Sequence, residues 1–179
     1  ATFMNRILFA IALVLFTSTT ILRAAEPEKI KWITIQEAEQ LCKKEPRKII
    51  VDVYTDWCGW CKKMDASTFT NPVIVKYINQ KYYAVKFNAE TKDTLRFNGN
   101  SFAYVPEYKA NELAVSLLNG QMSYPTTVYL NEKLEVLSPV PGFLKPIMLE
   151  KILKFFGENT QTAMKWEEFQ KTFVGEIKD

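Results

Sequence analysis

Histidine is absent from all 179 residues of this sequence, and cysteine occurs only three times. Without an imidazole, catalysis would have to use cysteine, carboxylate, lysine or tyrosine side chains. A structural zinc site needs four ligands, which three cysteines without histidine do not supply. We therefore expect no metal site, and none of the motifs below calls for a soluble cofactor.

A strongly basic surface is also lacking. The formal net charge is +3, and two of the basic residues, Arg6 and Arg23, lie within the first 25 residues, so the rest of the chain is nearly neutral. Proteins that follow nucleic-acid phosphates need clustered basic residues, so the composition argues against a nucleic-acid partner. With 47% hydrophobic and 24% charged residues, the chain has the balance of one ordinary globular domain.

The N-terminal apolar run is short for a membrane-spanning helix. Residues 7–22 are uncharged, but these 16 residues fall below the roughly 20 that a spanning helix needs. The run follows Arg6 and precedes the small pair Ala24–Ala25, which is the order of an export signal. We therefore predict a signal peptide at 1–25, with a retained membrane anchor as the alternative. Either places the body in a periplasmic or secreted, disulfide-permissive space.

The body, residues 26–179, alternates between strand and helix patterns. Thr34 and Glu37 form a Thr-x-x-Glu capping box that opens a helix, and Asn71-Pro72 opens another. Near-continuous apolar runs predict buried strands at 48–55 and 82–88. We expect an α/β fold with a central mixed sheet flanked by helices.

The second half of the chain adds an insert and a C-terminal helix. Asn98-Gly99 between alternating apolar residues predicts a β-hairpin within about 90–108, before the third helix. The aromatic residues of this insert either line a groove or cover additional core. A helix is predicted over 110–120, then two antiparallel strands joined at Asn131-Glu132, and helices that end at Gly157 and span 160–177.

The stretch "VDVYTDWCGWCKKM" places Cys58 and Cys61 directly after the strand 48–55. A disulfide across two residues closes so short a loop that it stabilises the fold poorly. At the start of a helix, the first cysteine meets unpaired N–H groups that favour its thiolate, and the second lies one turn further on the same face. The pattern therefore favours redox exchange over a structural bridge.

The segments "WCGWCKK", "VDVYTD" and "YPTTVYL" resemble the thioredoxin superfamily, over most of residues 30–156, and within it the exported bacterial thioredoxin-like proteins. The resemblance implies a thioredoxin fold in which Cys58 attacks and Cys61 resolves. It implies that Asp52 takes and returns the proton of the resolving thiol, and that Lys86 pairs near it. For Lys86, a surface position at the end of a strand is the alternative.

The same resemblance implies a peptide-binding edge. Pro125 occupies the position of the family's cis-proline, and a cis bond there would turn the Tyr124 carbonyl and the Thr126 N–H toward an incoming peptide. Gly142 matches a family glycine near the site, with an ordinary turn glycine as the alternative. Three residues of the cysteine loop complete the expected substrate rim: Trp57, Gly59 and Trp60.

These features predict a thiol:disulfide oxidoreductase of the bacterial envelope. We favour reduction of protein disulfides, because the tryptophan-framed motif resembles thioredoxin more than the histidine-bearing motifs of strong oxidants. The Gly-Trp dipeptide differs from the Gly-Pro of thioredoxin proper, so the redox potential of thioredoxin cannot be assigned to the Cys58–Cys61 pair. A reductase outside the cytoplasm implies a membrane thiol electron carrier as partner. The alternative is a thioredoxin-fold binding or assembly module, possibly membrane-anchored, without general turnover.

Overall fold

A buried strand that begins at Lys48 forms the centre of the sheet in the computed structural model, which describes residues 26–178. The strands are β1 (Trp32–Ile33), β2 (Lys48–Tyr54), β3 (Tyr82–Asn88), β4 (Leu95–Phe97), β5 (Asn100–Phe102), β6 (Tyr104–Val105), β7 (Ala110–Asn111), β8 (Thr126–Leu130) and β9 (Val136–Pro141). The main sheet has the order β1-β3-β2-β8-β9, in which β1, β3 and β2 pair in parallel and β8 pairs antiparallel with both β2 and β9. The predicted mixed sheet is confirmed.

Helices cover both faces of this sheet. They are α1 (Ile35–Lys44), α2 (Gly59–Ser67), α3 (Pro72–Lys81), α4 (Glu112–Leu117), α5 (Pro146–Gly157) and α6 (Trp166–Thr172). Because β2 side chains alternate, Ile50 packs in the core shared with α2, α3 and α5, whereas Val51 and Val53 pack in the core shared with α1 and α4. The helix that begins at Gly59 is thus anchored on the Ile50 face.

The start of α1 follows its sequence signal. The Thr34 hydroxyl accepts a hydrogen bond from the Glu37 N–H at 3.2 Å, and the Glu37 carboxylate accepts one from the Thr34 N–H at 2.7 Å. The predicted capping box is confirmed. Ala38 and Cys42 of α1 are buried, whereas Leu41 is 37% exposed.

The segment after the cysteines forms two helices, as the predicted helix start at the cysteines and the Asn71-Pro72 signal imply. α2 ends at Ser67, and α3 begins at Pro72 after Asn71, whose side chain accepts a hydrogen bond from the Val73 N–H at 3.0 Å. Proline lacks the N–H that a continuous helix would use, so the chain restarts there. The insert therefore precedes the fourth helix, and the prediction that it precedes the third is wrong.

The insert contains the predicted hairpin and a second one. β4 and β5 pair through Asn98 and Gly99, whose φ values of 48° and 77° are both positive, as a two-residue hairpin turn requires. β6 pairs with β7, so Ala110–Asn111 is a strand and not the start of the predicted helix. The Asn111 N–H bonds to the Ala89 carbonyl, and the Asn111 backbone is extended, so the helix begins only at Glu112.

Two aromatic residues of the insert pack inward. Phe97 is buried, and Phe102 is half-buried against the same core cluster. Tyr108, in contrast, is 62% exposed. Of the two alternatives for the aromatic residues of the insert, Phe97 and Phe102 therefore cover additional core and do not line a groove.

The C-terminal segment is only partly helical. The predicted helix over 160–177 is replaced by a 3₁₀ turn (Thr160–Thr162) and α6, which ends at Thr172. Beyond it, the Glu150 carboxylate is 1% exposed and accepts hydrogen bonds from the N–H groups of Glu176 and Ile177 at 2.7 and 3.0 Å. Those N–H groups bond to a side chain, so the helix does not continue through them.

Within residues 26–178, no helix combines the length and the apolar character needed to cross a membrane. The predicted signal peptide or anchor at 1–25 lies outside the described residues and stays a prediction.

Asn111 provides a test of how the insert is fixed. It is fully buried, caps α4 through the Leu113 N–H at 3.0 Å, and donates to the Asp93 carbonyl at 3.0 Å. We expect Asn111→Ala to lower the free energy of unfolding by about 1–3 kcal/mol, measured by urea denaturation of the oxidised protein. Asn111→Ser keeps a capping oxygen and should recover part of this loss. An Ala variant as stable as the parent protein would contradict the assignment.

Candidate active site

The two cysteines form a disulfide at the beginning of α2. Cys58 is the N-cap residue, and its Sγ accepts a hydrogen bond from the Cys61 N–H at 3.0 Å. Cys58 is 4% exposed and Cys61 is 2% exposed. The free N–H groups of this first turn stabilise negative charge on Cys58 whenever the pair is reduced. The chain segment from β2 to α2 thus supplies a dithiol/disulfide pair in which one sulfur occupies the favoured position for a thiolate.

A buried carboxylate lies on the sheet beneath α2. Asp52 is 1% exposed, and its Oδ2 is 2.5 Å from the Lys86 Nζ, whereas Oδ1 is buried without a hydrogen-bond partner among the described residues. Burial raises the pKa of Asp52 to about 6, although the charge of Lys86 acts in the opposite direction. A carboxyl group with this pKa can both take up and release a proton near neutral pH.

Lys86 is held by charged and aromatic neighbours. It lies beside Asp52 in the register of β2 and β3, and it forms a second ion pair with Asp65 of α2. Three aromatic rings surround its Nζ, with centroids 5.0–5.6 Å away: Trp32, Tyr54 and Phe69. Burial lowers the pKa of Lys86, but the two carboxylates outweigh this effect and raise it. The structure therefore places Lys86 in the pairing position and not at a free strand end.

Asp65 is a site residue that the sequence reasoning missed. It lies four residues after Cys61 on α2, so the two share a helix face, and this spacing was the available signal. Through Lys86, Asp65 links the cysteine-bearing helix to Asp52 at the centre of the sheet. Its negative charge also contributes to the raised pKa of Asp52.

The expected peptide-binding edge lies at the start of β8. The Tyr124–Pro125 peptide bond is cis, and the Pro125 carbonyl accepts a hydrogen bond from the Gly142 N–H at 2.7 Å. Gly142 has a φ of 97°, which only glycine adopts readily, so it is both a turn glycine and a neighbour of Pro125. The Thr126 side chain is buried and donates to the Ser123 carbonyl at 2.8 Å, so its hydroxyl is already bonded within the protein.

Aromatic side chains form the rim of the cysteine loop. Trp57 is 68% exposed and meets the Tyr124 ring edge-to-face with centroids 5.9 Å apart. Trp60 is 57% exposed, and its ring centroid is 5.4 Å from that of Phe143. Gly59 between them is exposed, with open space where a Cβ would lie. Phe143 was missed by the sequence reasoning, although it directly follows Gly142.

The five-stranded mixed sheet flanked by helices, with the Cys58–Cys61 disulfide at the start of α2, is a thioredoxin-like disulfide oxidoreductase fold. Residues 35–157 match the family model described as a thioredoxin-like domain, and the chain belongs to this family. No curated protein matches the sequence.

Solved structures share the fold at low sequence identity. The oxidoreductase DsbH has a TM-score of 0.53 and 15% identity, over 77% of this chain and 92% of that chain. A thioredoxin from Thermus thermophilus has a TM-score of 0.55 and 18% identity, over 72% of this chain and 87% of that chain. A putative disulphide-isomerase from Bacteroides thetaiotaomicron has a TM-score of 0.53 and 23% identity, over 76% and 98%. At these low sequence identities, the similarity shows a shared fold and nothing further.

The raised pKa of Asp52 predicts a stability change that depends on pH. The pKa of Asp52 in the folded protein, about 6, lies above the ordinary 3.8. The protein therefore loses stability as the pH rises from about 4 to 6 and this carboxyl group ionises. Asp52→Asn does not titrate, so its stability relative to the parent should rise by about 2.5 kcal/mol between pH 4 and pH 7. Urea denaturation at the two pH values measures this, with the exposed Asp56→Asn as the control. A difference independent of pH would contradict the burial argument.

The shared lysine predicts that Asp65 tunes Asp52. Asp65→Asn removes a negative charge that raises the pKa of Asp52, and Asp52 then becomes the only ion-pair partner of Lys86 among the described residues. The pKa of Asp52 should therefore fall below about 6. Lys86→Met should raise it. Carboxyl-carbon NMR titration of the oxidised protein reads both changes. If neither variant moves the titration of Asp52, the three groups are not coupled.

Proposed function

We propose that this protein is a thiol:disulfide oxidoreductase that acts on protein disulfides. The observation that carries the proposal is the Cys58–Cys61 disulfide at the N-terminus of α2, on the sheet face that carries the buried, titratable Asp52. The cis Tyr124–Pro125 peptide and the exposed tryptophans beside the disulfide supply a surface for a peptide chain.

The exchange needs two thiolate attacks. The Cys58 thiolate attacks one sulfur of a substrate disulfide, which forms a mixed disulfide and releases the other substrate sulfur as a thiolate. The Cys61 thiolate then attacks Cys58 Sγ, which restores the Cys58–Cys61 disulfide and releases the second substrate thiolate. Two electrons pass from the dithiol to the substrate.

Asp52 serves the second attack in this proposal. Its carboxyl group is largely ionised at neutral pH, so it can accept the Cys61 proton when the mixed disulfide has to be resolved. The Asp65–Lys86–Asp52 link supports this role, because Asp65 shares the Cys61 face of α2 and connects that face to the carboxylate. In the reverse reaction, Asp52 would return the proton.

We further propose that the protein reduces its substrates in the bacterial envelope. The order of Arg6, an apolar run and Ala24–Ala25 supports export. The tryptophan-framed Cys-Gly-Trp-Cys motif supports the reducing direction. A membrane thiol carrier would then return electrons to Cys58–Cys61, and the protein itself would contact the membrane only if its N-terminal segment is retained.

Substrate trapping tests the proposed function. Cys61→Ala removes the resolving thiol, and Cys42 is a poor substitute because it is buried on α1 with its Sγ 3.1 Å from the Arg47 carbonyl. We expect Cys61→Ala, expressed in its own compartment, to accumulate mixed disulfides that appear as higher-mass species on non-reducing gels and collapse with dithiothreitol.

The control variants separate this function from its rival. Cys58→Ala lacks the attacking thiolate and should trap far less. If the protein is a binding or assembly module, both variants should run alone. A Cys61→Ala variant that traps no protein, in cells where the native pair cycles between dithiol and disulfide, would exclude protein disulfides as substrates.

A further inference from the structure

Two aromatic pairs adjoin the disulfide, and each has charged side chains of one sign beside it. Trp57 packs on Tyr124 on one side, and Trp60 packs on Phe143 on the other. Pro125 lies between the two pairs, since it follows Tyr124 directly and its carbonyl bonds to the residue before Phe143. A peptide that crosses the cysteines must therefore place one flank on each pair.

The Trp57 side is acidic, and the charges are held in place. The Asn88 side chain donates to the Asp56 carboxylate at 3.1 Å and accepts from the Glu90 N–H at 2.9 Å. The Glu90 carboxylate in turn accepts a hydrogen bond from the Trp57 indole N–H at 3.0 Å. We call Asp56 and Glu90 the acidic half of the rim. Asn88, at the end of β3, fixes both of them beside the tryptophan.

The Trp60 side is basic. Lys63 lies one turn after Trp60 on α2, and its Nζ is 4.6 Å from the Trp60 ring centroid and 5.5 Å from that of Phe143. We call Lys63 the basic half of the rim. Among residues 26–178, neither Lys63 nor the two acidic-half carboxylates take part in a salt bridge. Both halves therefore present charge to an incoming chain.

We propose that this rim selects substrates by the direction of their charge. The preferred substrate is a disulfide-bearing peptide segment with acidic residues on the flank that covers Lys63 and basic residues on the flank that covers Asp56 and Glu90. The inference rests on the proposed function and adds its substrate class. Charges at the edge of an interface act mainly on the rate of association and lose their effect in salt.

Two peptides of identical composition test the direction of charge. Each carries one cysteine in a mixed disulfide with 2-mercaptoethanol; one has two aspartates before the cysteine and two lysines after it, and the other has the reverse order. The full chain is reduced beforehand and used in a single turnover, in which its dithiol gives two electrons to the probe and releases peptide thiol and 2-mercaptoethanol. Quenched samples separated by chromatography give the second-order rate constants.

At low ionic strength the two rate constants should differ by about threefold to tenfold, and the ratio should shrink as salt is added. Lys63→Glu combined with Glu90→Lys should invert the ratio. Lys63→Gln and Glu90→Gln should each bring it closer to one, and the glutamine at 90 keeps an acceptor for the Trp57 indole. Lys62→Gln is the matched control, because Lys62 is exposed but does not lie on Trp60, and it should change the ratio less than Lys63→Gln does.

Equal rates for the two peptides, or a ratio that survives the double charge reversal, would overturn the inference. A third peptide with serines on both flanks separates this result from a failure of the proposed function. If it is reduced as fast as both charged peptides, the oxidoreductase function holds and the charge selection does not. If none of the three peptides is reduced, both fall.

Discussion

The ion pair between Asp52 and Lys86 connects most features of this structure. The parallel register of β2 and β3 places the two residues side by side, and Lys86 reaches on to Asp65 of α2. The helix that carries the cysteines is thereby tied to the centre of the sheet. Because burial still raises the pKa of Asp52 to about 6, the lysine only partly offsets the cost of desolvation. The proton transfer proposed for Asp52 gives a reason for a buried group that costs stability.

The insert contributes to the rim as well as to the core. Phe97 and Phe102 cover the core next to α1 and α4, as the structural alternative had it. Glu90, where the insert begins, bonds to the Trp57 indole, and Asn88 positions its backbone. The acidic side of the rim thus depends on the chain segment that leaves β3.

The errors of sequence interpretation have a common origin. Asn111 joins a strand and caps α4, and the segment around Glu176 bonds to the Glu150 carboxylate. In both cases the apolar spacing is helical, but backbone N–H groups bond to a distant carbonyl or to a side chain and the chain is not helical there. Periodicity describes which face is apolar, and it does not say where these N–H groups are bonded.

The sequence by itself determined the mixed α/β fold, the cysteine pair at a strand–helix junction, and the buried carboxylate six residues before it, because these depend on local runs of residues. The tertiary structure decided which charges meet. The contact of Lys86 with Asp65 spans 21 residues, and that of Trp60 with Phe143 joins α2 to the segment after β9. No local period encodes such contacts, since they arise from the packing of α2 onto the sheet and from the pairing of β8 with β9.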